Sequence, residues 1–177
     1  MDSIDRCVTS DLKKGGNPLY LVGITRGEMG GSCLHRRFGG KGGQVPGVEI
    51  GELRRSMDLL LTAMERGMVK ACHDCSDGGL AVTMAEMCMG GDIGCRVDLA
   101  PLGEIETVRK LFCESNSRWV VEVEASMEDE WRRLCPSIRL GEVGGGSLAV
   151  TDTREVIELT VQEMRETWAS PLWRILG

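Results

Sequence analysis

Aromatic residues are scarce in this 177-residue chain, where Phe, Tyr and Trp together make 4% of the total. A core without large rings has to be built from Leu, Val, Met and Ala. Long apolar runs are missing as well: no stretch of about 18 apolar residues exists, which excludes a membrane-spanning helix. The polar segment Met1–Ser10 lacks the apolar stretch of a secretory signal. A basic excess is also absent. The formal net charge is −6, with acidic and basic residues interspersed, so there is no electrostatic footprint for nucleic acid. Histidine occurs only as His35 and His73, which leaves few candidates for a general base. These absences predict a cytoplasmic protein without nucleic-acid or membrane partners.

What is present fits one domain: 42% apolar and 27% charged residues are ordinary globular values, and the length is enough for a real core. Two residue types stand out, 24 glycines and eight cysteines. The glycines imply many tight turns and close backbone approaches. The cysteines, in a chain without a secretory signal, read as reduced, half-buried thiols rather than a disulfide framework.

Along the chain, residues 1–17 read as a linker ending in Lys13-Lys-Gly-Gly-Asn17, and 18–177 as the domain. Pro18–Ile24 is a compact apolar run expected as a buried strand. Gly27–Gly47 is too glycine-rich to sustain one helix or strand and is expected as a long loop. Leu53, Met57, Leu60, Leu61, Met64 and Met68 recur at steps of three and four, predicting an amphipathic helix over Glu52–Met68. A strand over Val69–His73, a polar turn and a helix ended by Gly90-Gly91 follow. Further on, Ile93–Leu99 and Arg118–Glu124 read as strands and Glu104–Cys113 as a helix. Ser126–Asp129 resembles a capping box that opens a helix through Leu134. Arg139–Val143 and Ser147–Thr151 are expected to pair as a hairpin across Gly144-Gly145-Gly146. Asp152-Thr-Arg-Glu155 is expected to open a last helix carrying Ile157, Val161, Met164 and Trp168. This alternation predicts an α/β (α+β) fold with a mixed sheet covered by helices.

Chemistry concentrates in three stretches. Cys72–Gly79 packs a CxxC, His73, Asp74 and Asp77 into eight positions and supports three readings. One is a zinc or redox site on Cys72 and Cys75. The second is a phosphate site on the Gly78 and Gly79 amides with Asp74 or Asp77 as Mg²⁺ ligands. The third is plain helix capping by Ser76 or Asp77. Gly30-Gly31-Ser32 suits a loop around a phosphate but equally an ordinary turn. The polar cluster Glu114-Ser115-Asn116-Ser117-Arg118 lies between a helix end and a strand, where loop side chains meet ligands, or where Glu114 simply pairs with Arg118. His35-Arg36-Arg37 is a basic run that either contacts an anion or is solvated.

The order of these pieces is informative. Met29-Gly-Gly-Ser32, then His73-Asp-Cys-Ser-Asp-Gly-Gly-Leu80, then Leu111-Phe-Cys-Glu-Ser-Asn-Ser-Arg118 before Val120 resembles, from about Thr9 to Trp173, the last domain of the synthetase subunit of the phosphoribosylformylglycinamidine synthase family. That family belongs to the aminoimidazole ribonucleotide synthetase-like superfamily, whose C-terminal domain supplies the expected fold. The resemblance implies an ATP-dependent carbon–nitrogen ligase of purine biosynthesis that converts formylglycinamide ribonucleotide to formylglycinamidine ribonucleotide, with ATP and Mg²⁺ as cofactors of the complete enzyme and none demonstrable for this domain alone. Implied partners are the remaining domains of the synthetase subunit, a glutaminase subunit and a small accessory subunit of an amidotransferase complex. The family's catalytic histidine and most ATP and Mg²⁺ ligands lie in other domains, so the domain alone is expected to be inert, with catalytic residues unknown. In the earlier copy of this domain type, the stretch matching Glu114, Ser115 and Asn116 touches substrate; here it belongs to the pseudo-symmetric copy. A non-catalytic nucleotide-binding or structural module is the alternative. The sequence departs from the usual pattern at Cys75, Cys113, Trp119 and Cys33-Leu-His35.

Overall fold

The computed structural model describes residues 4–176; the ends of the expected linker (1–3) and domain (177) lie outside that range. Seven strands form one sheet in the order β2-β4-β1-β5-β3-β6-β7. They are β1 (Pro18–Val22), β2 (Val69–Asp74), β3 (Cys95–Asp98), β4 (Trp119–Val123), β5 (Ser137–Val143), β6 (Ser147–Asp152) and β7 (Arg154–Thr160). All neighbouring pairs are antiparallel except β3 with β6. Six helices accompany them: α1 (Cys33–Phe38), α2 (Ile50–Glu65), α3 (Gly79–Gly91), α4 (Thr107–Phe112), α5 (Glu128–Leu134) and α6 (Val161–Leu176). The mixed α+β architecture expected from the alternation of patterns is the one observed.

Strand β1 is apolar throughout because both its faces are covered. Leu19 and Leu21 enter a core with Leu80, Met84 and Met87 of α3, Leu111 of α4 and Met164 of α6. Tyr20 and Val22 point the other way, into a second core with Leu60 and Ala63 of α2 and Trp131 of α5. The period-two alternation of the strand thus feeds two separate helix layers. The segment expected as a linker is docked on the domain. Leu12 is buried in the first core, and the amides of Lys13 and Lys14, with the Asn17 side-chain amide, donate to the fully buried Glu122 carboxylate at 2.7, 3.1 and 2.6 Å.

Four expectations are corrected. First, β5 and β6 do not form a hairpin, because β3 lies between them. Glycine permits this close approach. A Cβ at Gly141 would stand 1.9 Å from the Arg96 carbonyl oxygen, and one at Gly94 would stand 2.1 Å from that of Ser147. Second, Asp152–Glu155 does not open a helix. Asp152 accepts from Thr107 and Lys110, Thr153 turns at φ 63°, and residues 154–160 pair with β6. The capping box sits later: the Thr160 amide donates to Glu163 at 2.8 Å, and the Glu163 amide donates to the Thr160 hydroxyl at 3.1 Å. Third, Ser126 caps no helix; α5 starts at Glu128 behind Met127, without a side-chain cap. Fourth, the glycine-rich 27–47 stretch contains the short helix α1, capped by Ser32, whose hydroxyl accepts from the His35 amide at 3.3 Å.

Candidate functional site

The β2–α3 turn carries the second glycine pair, and its shape is set by close packing. Gly78 and Gly79 both adopt left-handed backbone (φ 83° and 66°), and a Cβ at Gly79 would meet the Cys113 carbonyl oxygen at 2.5 Å. An L side chain at Gly79 is therefore excluded by both conformation and space. The turn lies directly against the 113–118 loop, and the Cys75 amide donates to the Arg118 carbonyl at 2.9 Å.

Glu114 links the two glycine turns. One oxygen of its carboxylate accepts from the Gly78 amide at 2.9 Å and from the Cys33 amide at 2.7 Å. The Gly78 amide is one of those expected to meet a phosphate, and a protein carboxylate already holds it together with the Cys33 amide. The expected pairing of Glu114 with Arg118 is not formed. Arg118 is buried and donates instead to the Ser115 and Cys113 carbonyls at 3.0 and 2.6 Å and to the Thr25 hydroxyl at 3.1 Å. It fixes the backbone on both sides of Glu114 and so aims that carboxylate at the turns. Ser115 accepts from the Arg26 amide at 3.1 Å, and Asn116 donates to the Pro46 carbonyl at 3.4 Å.

The first turn is equally enclosed. The Gly30 amide donates to the Gln44 carbonyl at 2.9 Å, a Cβ there would meet the Gly43 carbonyl oxygen at 2.7 Å, and Ser32 is fully buried. Gly31 has open space at its α-carbon. The two aspartates diverge in environment. Asp74 accepts from the Ser76 hydroxyl and stands 3.4 Å from His73, whose other nitrogen is 3.2 Å from Glu86; the Ser76 bond, with help from His73, holds the Asp74 carboxyl below its ordinary range. Asp77 is exposed, caps nothing, and stands 3.6 Å from the Arg36 guanidinium.

The structure adds two residues to the site that the sequence reading did not single out as site residues. The Cys33 thiol accepts from Arg36 at 2.8 Å, and ligand atoms of Cys33, Asp77 and Glu114 lie within 4.8 Å of one another. Glu28 is buried, with one carboxylate oxygen bonded to the Gly47 amide at 3.3 Å and the other without a partner. Chain spacing gives no signal for the Cys33 grouping, since its members come from three distant segments. The CxxC reading fares differently: burial raises the Cys72 thiol to about 12 and raises Cys75 as well, which disfavours the thiolates that metal binding and redox exchange require. Two grooves lie elsewhere. One of about 390 Å³ is lined by Met89, Arg165 and Trp168, and one of about 340 Å³ by Arg96, Arg139 and Thr151.

A seven-stranded mixed sheet with helices on both faces, and paired glycine turns meeting a Glu-Ser loop, define an α+β domain with its candidate site at one set of loops. The family model described as AIR synthase related protein, C-terminal domain, matches residues 14–152, and the chain belongs to that family. Phosphoribosylformylglycinamidine synthase subunit PurL of Methanothrix thermoacetophila is 37% identical over 97% of this chain and 23% of that protein. The chain spans about a quarter of the length of the curated relatives it matches. The fold matches Thermotoga maritima PurL complexed with ATP, with a TM-score of 0.71 at 21% identity over 91% of this chain and 27% of that one. It also matches the structure of PurLQS from the same organism, with a TM-score of 0.71 at 20% identity over 91% of this chain and 28% of that one.

Proposed function

We propose that this chain is the C-terminal domain of the synthetase subunit of a phosphoribosylformylglycinamidine synthase, the ATP-dependent ligase that makes formylglycinamidine ribonucleotide in purine biosynthesis. The carrying observation is the 37% identity to a PurL subunit over nearly the whole chain. In this reading 18–177 is the domain and 1–17 its docked connecting segment. The partners are the remaining synthetase domains, a glutaminase subunit and a small accessory subunit in the cytoplasm. The domain alone has no turnover. Of the two histidines, His73 is engaged by Asp74 and Glu86.

The site residues take the following roles in this reading. Gly30, Gly31, Ser32, Gly78 and Gly79 supply the backbone that would face an anion. Glu114, Ser115, Asn116 and Arg118 belong to the loop that would touch a substrate-like group beside it, and Asp74 and Asp77 are the carboxylates that would meet a cation. Glu114 occupies the Gly78 and Cys33 amides, so a phosphate reaches them only by displacing that carboxylate. Magnesium does not fit the residues grouped here. It demands an octahedral set of oxygens, whereas the group offers the Cys33 thiol, the Glu114 carboxylate already held by two amides, and the exposed Asp77 carboxylate already facing the Arg36 guanidinium. No step is therefore routed through Mg²⁺ on this chain.

The test replaces the matching C-terminal quarter of a PurL relative with this chain and measures ADP release dependent on formylglycinamide ribonucleotide and ammonia. The chimera is expected to turn over while the isolated chain does not. A soluble, folded chimera without activity overturns the ligase reading and leaves the alternative of a structural module from the same superfamily.

A further inference from the structure

Cys88 lies in the last turn of α3 and Cys95 opens β3. Their sulfurs are 3.5 Å apart, and the two residues are 0% and 1% exposed within the main core. We propose that Cys88 and Cys95 are a disulfide-forming pair, a modification site that ties the end of α3 covalently to the middle of the sheet. Neither thiol has a role in the candidate site.

The two sulfurs are already in contact across the α3–β3 turn. A disulfide bond is about 2.05 Å long, so closure requires the sulfurs to approach by ~1.5 Å. Both attachment points are held in place. Cys95 sits between β5 and β6, paired with Val143 and Leu148, and the end of α3 is pinned where the Met87 carbonyl accepts from the Leu12 amide at 3.1 Å. The intervening Gly90, Gly91 and the left-handed Asp92 form a tight return that brings the two cysteines together. In the folded state the thiol–thiol hydrogen bond, with burial, raises the Cys95 thiol, and both sulfurs are shielded from solvent. Oxidation therefore belongs to folding or to a local opening of the α3 end.

The oxidant is a low-molecular-weight disulfide such as oxidised glutathione. One cysteine thiolate attacks a glutathione sulfur and releases one glutathione thiolate. The second cysteine then attacks the mixed disulfide, forms the Cys88–Cys95 bond and releases a second glutathione. In total two protein thiols lose two electrons and two protons, and one oxidised glutathione becomes two reduced ones.

The test refolds the full chain from denaturant in a glutathione redox buffer, blocks free thiols and digests with a protease that cleaves before aspartate, without reduction. Cleavage before Asp77, Asp92 and Asp98 leaves Cys88 in peptide 77–91 and Cys95 in peptide 92–97. The expected product is these two peptides joined, about tenfold above any other cysteine pair. It should vanish with reductant and in both Cys88→Ala and Cys95→Ala, and the oxidised chain should melt higher than the reduced one. If both peptides carry blocked thiols, or the joined product is no commoner than links through the other cysteines, the pairing is overturned. That readout on the unsubstituted chain stands even where a variant fails to fold, and it is independent of the ligase assay.

Discussion

Two glutamates in this domain clasp backbone from distant segments, and they do so in opposite settings. Glu122 is fully buried in β4 and accepts from Lys13, Lys14 and Asn17, closing the entry segment onto the sheet. Glu114 is half-buried at the domain rim and accepts from Cys33 and Gly78, closing two glycine turns onto each other. The Glu122 carboxylate is itself shielded from water and ligands, and the Asn17 amide that meets it is buried as well. At the rim the donors are ones any anion would use. The same local chemistry therefore builds a fixed joint in one place and an exchangeable one in the other.

Removing the sealed joint should cost the most. Glu122→Ala leaves three donors without their acceptor, the buried Asn17 amide among them, and is expected to lower unfolding stability by about 3 kcal/mol, read from the denaturant midpoint; a loss below about 1 kcal/mol would show that water replaces the carboxylate at these donors. Glu114→Ala is expected to cost about 1–2 kcal/mol and to open the two amides. Thermal unfolding with ATP or pyrophosphate should then shift upward in the variant more than in the unsubstituted chain, and equal shifts would sink the displacement argument. A weaker effect comes from acid. The Thr107 and Lys110 contacts hold the Asp152 carboxyl below its ordinary range, as Ser76 does for Asp74. Carboxyls depressed in the folded state add stability that is complete above the unfolded pKa, near about pH 4, and that fades as pH falls through the folded values. Lys110→Met should flatten that acid limb, which a pH series of melting temperatures would check. The smallest effect belongs to Asp77→Asn, whose exposed carboxylate stands 3.6 Å from Arg36 and should change stability by less than about 0.5 kcal/mol.

Elements whose pattern is local were readable in the sequence. The three-and-four spacing around Leu60 gave α2, observed at Ile50–Glu65 with Gly67 just past its end, and Trp119, Val121 and Val123 share a face of β4 as their alternation required. The failures share a cause. Nothing near Arg139–Thr151 announces that β3 will lie between its two strands; the glycines that make room, 94 and 141, are almost fifty residues apart. Residues 154–160 present an exposed edge strand with little apolar contrast, so a helix pattern running on from Trp168 hid it. In the candidate site, the glycine turns and the 113–118 loop were visible as motifs. That one carboxylate oxygen joins both turns was not, because Cys33, Gly78 and Glu114 meet only through the fold.

The three glycines between β5 and β6 carry a further consequence, one of reach. They bridge over β3, with Gly94 donating to the Gly145 carbonyl at 2.9 Å and accepting from the Gly144 amide at 2.8 Å. Crossing two strand spacings requires about 9.6 Å, and the four peptide steps from Val143 to Ser147 extend to at most about 14 Å. The connection is therefore a tether with little slack. Lengthening it leaves room for β3, whereas shortening it draws β5 and β6 toward direct pairing and squeezes the middle strand out of the sheet.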